Sequence, residues 1–317
     1  MATASLAGQV GGCTLNCITY NMHGFNSGNI FLKELCNNKL YDIIFIQEHW
    51  LSSPMLYKLQ GVSELYTCYG ISAMDDKLSV GFLRGRPFGG TAVLIRNSLV
   101  HAVSNVATFE RLVAVSFCDV LCVNVYLLCE DGSVMALNLL NEILANAADL
   151  IEQSTAEYIL FGGDINVNIS KKTAHALAVS EFLSTYKLIS GLDGNNVTPV
   201  VPGHDITTYE EDDITGKSRF YTFSNEKLGR YTTIDFLFVT KNIIHCVTEY
   251  KTLDSESNHS GHLGLLLSLN PPDGSEISEL IRSGYLCKKR KNEESENKTD
   301  CIKILRWDKS DIRQYYD

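Results

Sequence analysis

Short apolar runs and longer amphipathic stretches alternate along the chain from Cys13 onward. Residues 14–20, 42–47, 91–95, 112–117, 121–127, 158–161, 233–239 and 263–269 form runs rich in β-branched and aromatic side chains. Runs of this length and composition predict strands. Residues 30–38, 134–153 and 173–186 repeat apolar positions at three- and four-residue steps, the spacing of a helix with one buried face. Strands outnumber helices, and several successive strands are joined too briefly for a crossover helix. The pattern predicts an α/β fold, a four-layer sandwich of two mixed sheets with helices outside, rather than one doubly wound parallel sheet. No repeat of solenoid period is present.

Composition narrows the class. At 317 residues, with 45% hydrophobic and 20% charged positions, the chain is neither disordered, collagen-like nor a coiled coil. Its 27 basic and 37 acidic side chains leave a formal charge of −10, which excludes coating nucleic acid by bulk attraction. A bound metal ion can still reverse the field at one site. Of the 10 cysteines, Cys13/Cys17 and Cys118/Cys122 lie at C-x3-C spacing with no histidine at zinc-ligand distance. They read as reduced thiols, mostly buried, which points to an intracellular compartment. The tail over residues 1–12 lacks the basic and apolar regions of a signal peptide. The stretch nearest to a bilayer span, residues 112–129, is interrupted by Asp119 and Asn124, so paired strands are expected there and no membrane partner. The main domain is expected over residues 13–270. Pro271-Pro272-Asp273-Gly274 opens a charged linker over residues 271–317 that ends in a short amphipathic segment.

The chemistry lies where apolar strands end. Thr19-Tyr20-Asn21 closes the first run. Ile46-Gln47-Glu48 and Phe161-Gly162-Gly163-Asp164-Ile165-Asn166 end in carboxylates and an amide. Asp235 sits inside the apolar run Ile234-Asp235-Phe236-Leu237, where an unpaired charge costs roughly 3–5 kcal/mol. Three acids and two amides in such places predict an oxygen-rich site for a hard divalent cation, Mg2+ in the first instance.

Together these segments resemble the endonuclease/exonuclease/phosphatase superfamily, with its pancreatic-type DNases and apurinic endonucleases, over residues 13–270. The matching motifs are Thr19-Tyr20-Asn21-Met22-His23-Gly24, Gln47-Glu48, Asn124-Val125-Tyr126, Gly163-Asp164-Ile165-Asn166, Tyr221-Thr222-Phe223, Thr233-Ile234-Asp235 and Ser260-Gly261-His262. Within the superfamily, Gln47-Glu48-His49-Trp50-Leu51, Gly85-Arg86-Pro87-Phe88-Gly89-Gly90 and Leu305-Arg306-Trp307-Asp308-Lys309 resemble the endonuclease domain of non-LTR (LINE-type) retrotransposon polyproteins. The resemblance implies a metal-dependent phosphodiesterase that nicks DNA to prime reverse transcription. A reverse transcriptase domain would follow in a longer polyprotein, with a nuclear location at the time of action. It implies Mg2+, or Mn2+, held by Glu48 with Asn21 and Asp235. Asp164, Asn166, Tyr126, His262 and Asp235 would act on the phosphodiester. Thr222, Arg84, Arg86 and Arg230 are the expected substrate contacts, with Lys217 and Arg219 nearby.

Gly261 stands where the family closes with S-D-H, and an alternative register through Ser257-Asn258-His259 lacks that aspartate as well. Its loss removes one metal-side oxygen, so activity weakened by 10–100-fold is expected, and Gly261→Asp should restore it. Two other readings stay open at this point: a same-fold phosphatase of inositol phosphates or lipids, and a folded, inactive copy serving as a binding module.

Overall fold

A computed structural model describes residues 14–38, 40–79, 81, 86–193 and 220–283. In chain order the strands are β1 (Leu15–Asn21), β2 (Ile43–Gln47), β3 (Tyr66–Ile71), β4 (Thr91–Arg96), β5 (Val103–Phe109), β6 (Leu112–Phe117) and β7 (Val120–Tyr126). There follow β8 (Tyr158–Asp164), β9 (Leu188–Ser190), β10 (Phe223–Asn225), β11 (Arg230–Thr232), β12 (Asp235–Thr240), β13 (Val247–Leu253) and β14 (Gly264–Leu269). One six-stranded sheet runs β13-β14-β1-β2-β4-β3, and a second runs β5-β6-β7-β8-β12-β9. Each contains one parallel pair, β1 with β2 and β7 with β8, in an otherwise antiparallel order. A small hairpin, β10–β11, stands apart from both.

Period-2 alternation sorts the strands into layers. Cys17, Phe45, Val93, Cys122, Leu160, Leu237 and Leu267 fill the space between the sheets. Their neighbours Ile18, Tyr20, Ile44 and Leu94 face outward onto Phe31, Leu32 and Leu35 of the helix Phe25–Asn37. On the other side Val123, Phe161, Phe236 and Phe238 meet Leu140, Leu144, Val179 and Phe182 of the helices Val134–Gln153 and Ala174–Thr185. Those two helices start where Ser133 Oγ and Thr173 Oγ1 accept the amides of Ala136 and Ala176 at 3.0 and 3.2 Å. Val134–Gln153 is long and apolar enough to cross a bilayer by composition, yet here it packs its buried face on the second sheet. The result is the expected four-layer sandwich.

Two differences from the sequence reading have physical reasons. Edge strands β3, β5 and β13 escaped prediction because they carry polar and exposed positions; along β5 most side chains are exposed. The compact unit runs through Ile281, past the boundary expected at 270. Asp119 accepts the amides of Glu276 and Ile277 at 2.9 and 3.1 Å and so starts a helix there, which places Ile277 in the core. The cysteines among the described residues are free, as expected.

Candidate active site

The layer between the sheets changes from apolar to polar toward one rim. Along inner-facing positions β1 runs Cys17, Thr19, Asn21, and β2 runs Phe45, Gln47. In the opposite sheet β7 runs Cys122, Asn124, Tyr126, and β8 runs Leu160, Gly162, Asp164. Antiparallel β12 begins with Asp235 directly opposite Asp164. The polar rim therefore lies at the carboxyl ends of both parallel pairs, where open α/β sheets place their ligands.

Two glycines and an asparagine hold the rim together. A Cβ on Gly163 would lie 2.0 Å from Val125 O, and one on Gly162 would lie 2.2 Å from Phe236 O. Both strands flanking β8 therefore approach its backbone closely. Asn124 reaches across the sandwich. Its Nδ2 donates to Ile46 O and Ala92 O at 3.0 and 2.9 Å, and its Oδ1 accepts from Gln47 Nε2 at 2.6 Å. Thr19 completes this buried network through Gln47. A fully satisfied polar link of this kind fixes the relative position of the two sheets.

One half of the site surrounds Asp164, which is fully buried. It accepts from Asn21 Nδ2 at 2.8 Å, Asn166 N at 3.0 Å and Asn166 Nδ2 at 3.0 Å. Burial, and after it the facing Asp235 charge, push its carboxyl well above the ordinary range. Asp235 in turn pairs with His262, whose Nδ1 lies 3.0 and 3.2 Å from its two oxygens. Burial alone would depress that imidazole. The Asp235 charge and hydrogen bond, with Asp164 and Glu48 beyond, hold it up at about 9. The surrounding carboxylates thus favour the protonated imidazole.

The other half surrounds Glu48, closer to solvent. Tyr126 Oη donates to its Oε1 at 2.6 Å and Trp50 Nε1 to its Oε2 at 3.2 Å, with His23 Nδ1 3.5 Å from the same Oε2. Burial opposes ionisation of Glu48, but hydrogen bonds from His23, Tyr126 and Asn21 outweigh it and hold the carboxyl at about 2. Asn21 thus stands between the two carboxylates. His23, Glu48, Trp50 and Asn166 all have φ between +45° and +55°, and strained backbone of this kind gathers at functional sites.

The remaining predicted residues separate clearly. Thr222, expected to contact substrate, is fully buried, and its hydroxyl accepts from Ile234 N and Asp235 N at 3.1 and 3.0 Å. It positions Asp235 and is out of reach of a ligand. Arg84, Lys217 and Arg219 lie outside the described residues. Arg86 is exposed with its guanidinium 5.1 Å over the Trp50 ring, and Arg230 is exposed on the hairpin. Histidine 259 of the alternative register is exposed, whereas His262 meets Asp235. His49 is buried between Ile71 O and Leu51 N, a structural role; burial holds it neutral at about 4. Sequence reasoning missed Arg111. Its guanidinium stacks 4.9 Å over Tyr126, and its buried Nε, without a hydrogen bond among the described residues, lies 3.8 Å from Glu110 Oε1.

The donors present suit a divalent cation. Glu48 is held ionised by its neighbours in the outer half, and in the deeper half Asp164, Asp235 and His262 place ligand atoms within 4.8 Å of one another. Gly261 contributes no oxygen, and its surroundings alter the restoration expected from the sequence. A Cβ there would lie 3.0 Å from both Phe223 Cε2 and Ser224 O, and the Phe223 ring packs 4.8 Å from the His262 imidazole. Gly261→Asp is therefore expected to cost about 1–3 kcal/mol by overpacking and to bring no gain in Mg2+ affinity. Thermal melts beside calorimetric Mg2+ titration check both halves.

Comparison with known proteins accords with this geometry. The Endonuclease/Exonuclease/phosphatase family matches residues 18–250. No curated protein sequence matches the chain significantly. Among solved structures, an AP endonuclease from Archaeoglobus fulgidus is similar at 14% identity and a TM-score of 0.59, over 81% of this chain and 100% of that one. A 3′ phosphatase from Neisseria bound to a product DNA hairpin gives 13% and 0.59, over 81% and 100%. The AP endonuclease LMAP from Leishmania major gives 12% and 0.60, over 82% and 88%. At such identities the structures share the fold. The family match runs from within β1 to within β13 and takes in Glu48, Asp164 and Asp235, so the chain belongs to the endonuclease/exonuclease/phosphatase family.

Proposed function

We propose that the chain is a divalent-metal-dependent endonuclease that hydrolyses a DNA phosphodiester bond at this rim. The observation that carries the reading is the opposition of two carboxylates of different character across Asn21. Asp164 is raised by its surroundings and suits a base, while Glu48 is held ionised and suits a cation. Water would attack phosphorus in line with the departing 3′ oxygen. Asp164 orients that water and takes its proton. Both amide hydrogens of Asn166 are committed to Asp164 and Leu127 O, which leaves its Oδ1 to accept from the water. His262 donates to a phosphate oxygen as charge builds, and Tyr126 does so by turning its one hydroxyl hydrogen from Glu48 to the phosphate, where donors contribute most. Burial and the Glu48 charge push the Tyr126 phenol up, so it keeps its proton for this role. Arg111, stacked on Tyr126, adds positive charge beside the phosphate.

Glu48, with Asn21 behind it and Asp235 across, would hold Mg2+ or Mn2+, which when bound supplies charge neutralisation to the phosphate and the leaving oxygen. Glu48→Gln is expected to raise the metal concentration needed for half-maximal nicking by roughly 10–100-fold. Supercoiled plasmid relaxation over a Mg2+ series, with EDTA controls, measures this, and an unchanged metal requirement refutes the assignment. An inositol-phosphate release assay run in parallel separates the phosphatase reading, and inertness in both assays selects the inactive-copy reading.

The narrower role, nicking that primes reverse transcription by a polymerase domain of the same polyprotein, is supported by the resemblance of the phrases at 47–51, 85–90 and 305–309. Arg86, exposed and stacked over the Trp50 that donates to Glu48, and Arg230, exposed on the hairpin, are suited to phosphate contacts along the DNA.

A further inference from the structure

His23 differs from His49 and His262, the two buried histidines beside the rim. His49 is buried with both ring nitrogens engaged and His262 is buried with its Nδ1 on Asp235, whereas the His23 side chain is 51% exposed and its Nδ1 points at Glu48 Oε2 from 3.5 Å. Its place is fixed from three sides. Asn21 Oδ1 accepts the His23 amide at 3.0 Å, which turns the backbone into the left-handed region at φ 45°. The imidazole lies edge-on to Trp50 at 4.8 Å between ring centres, and Trp50 donates to the same Glu48 oxygen. Gly24, which follows, has φ 94° and abuts the Trp50 ring so closely that a Cβ would lie 2.5 Å from it. The turn is thus built to hold an imidazole beside a carboxylate at the open end of the site.

Two ligands each about 2.1 Å from one ion stand about 3.0 Å apart at an octahedral angle and about 3.4 Å at a tetrahedral one. The His23–Glu48 separation already falls near that range. We propose that His23 is a nitrogen ligand of the metal held by Glu48, so that the site is a mixed nitrogen–oxygen centre suited to first-row transition ions. An imidazole ligand moves preference from Mg2+ toward the transition series. It also supplies a donor in a site to which Gly261 brings none. This inference rests on the Glu48 metal site of the preceding section.

The test uses the full chain and Mn2+ as the probe. Pulsed EPR of the Mn2+-loaded protein is expected to show modulation from a directly bound nitrogen. His23→Asn should abolish it and weaken Mn2+ binding by roughly 10–100-fold in calorimetric titration, with a smaller change for Mg2+. Asparagine tolerates the left-handed backbone, and circular dichroism confirms that the variant is folded. His262→Asn, the other nitrogen at the rim, should retain the signal. A nitrogen signal that survives His23→Asn and vanishes in His262→Asn overturns the proposal. So does Mn2+ binding that depends on Glu48 but carries no nitrogen coupling; the underlying metal-site reading then stands. Absence of any Glu48-dependent Mn2+ binding removes both.

Discussion

Asp164→Asn is expected to slow DNA nicking by roughly 10²–10⁴-fold, the span that a positioned general base contributes, without loss of the fold. Asparagine keeps the shape of the side chain and an oxygen for the Asn166 amide, but cannot take a proton from water. Its effect on stability has the opposite sign. A carboxyl whose pKa is raised in the folded state favours folding while protonated, and that contribution is lost as pH rises through its unfolded value toward the folded one. Burial and Asp235 raise Asp164 in this way, so at neutral pH in chelator the folded state must hold the proton or bury the charge, and either works against the fold. The variant should therefore melt at or above the parent temperature while cutting far more slowly. Plasmid nicking and thermal melts in EDTA measure the pair. Near-parental cutting by the variant ends the base assignment.

Gly163→Ala is expected to cost more than about 4 kcal/mol, the range reached only by severe backbone or core conflicts. At φ 131° the residue occupies backbone that side chains rarely adopt, and its Cβ would overlap Val125 O and press on Asn124 Oδ1. The neighbouring atoms belong to β7, the strand that carries Asn124 and Tyr126, so relief by movement would open the link between the sheets. Gly132→Ala is the control. It also has positive φ, at 78°, but nothing lies within 4 Å of its Cβ, so about 1 kcal/mol is expected. Urea denaturation of the two variants separates crowding from conformational preference. Equal losses would show that the approach of β7 to β8 is not what requires the glycine.

The central strands were legible in the sequence because they are buried on both faces. Ile43–Gln47 and Tyr158–Asp164 read as unbroken apolar runs for that reason. Edge strands such as Val103–Phe109 carry no comparable signal, since one face meets solvent and the other packs loosely. Within the site, Glu48, Asp164 and Asp235 stood out as acids set against apolar neighbours, a conflict visible in one dimension. Arg111 and His23 showed no such conflict. An arginine just before a strand and a histidine two residues after an asparagine are unremarkable until Tyr126 is found beneath the one and Glu48 beside the other. Thr222 failed in the other direction: its position in a motif suggested contact with substrate, while its hydroxyl is spent on the first amides of β12.

Asn21 and Glu48 come from one sheet, and Tyr126, Asp164 and Asp235 from the other. The hydrogen bonds from Asn21 to Asp164 and from Tyr126 to Glu48 both cross the gap between them. Neither sheet alone carries a working half of the chemistry. Cleavage is thus a reporter of docking rather than of secondary structure: a compact state with both sheets formed but side-chain packing loosened, as in a molten globule, would retain its far-ultraviolet signature and cut nothing.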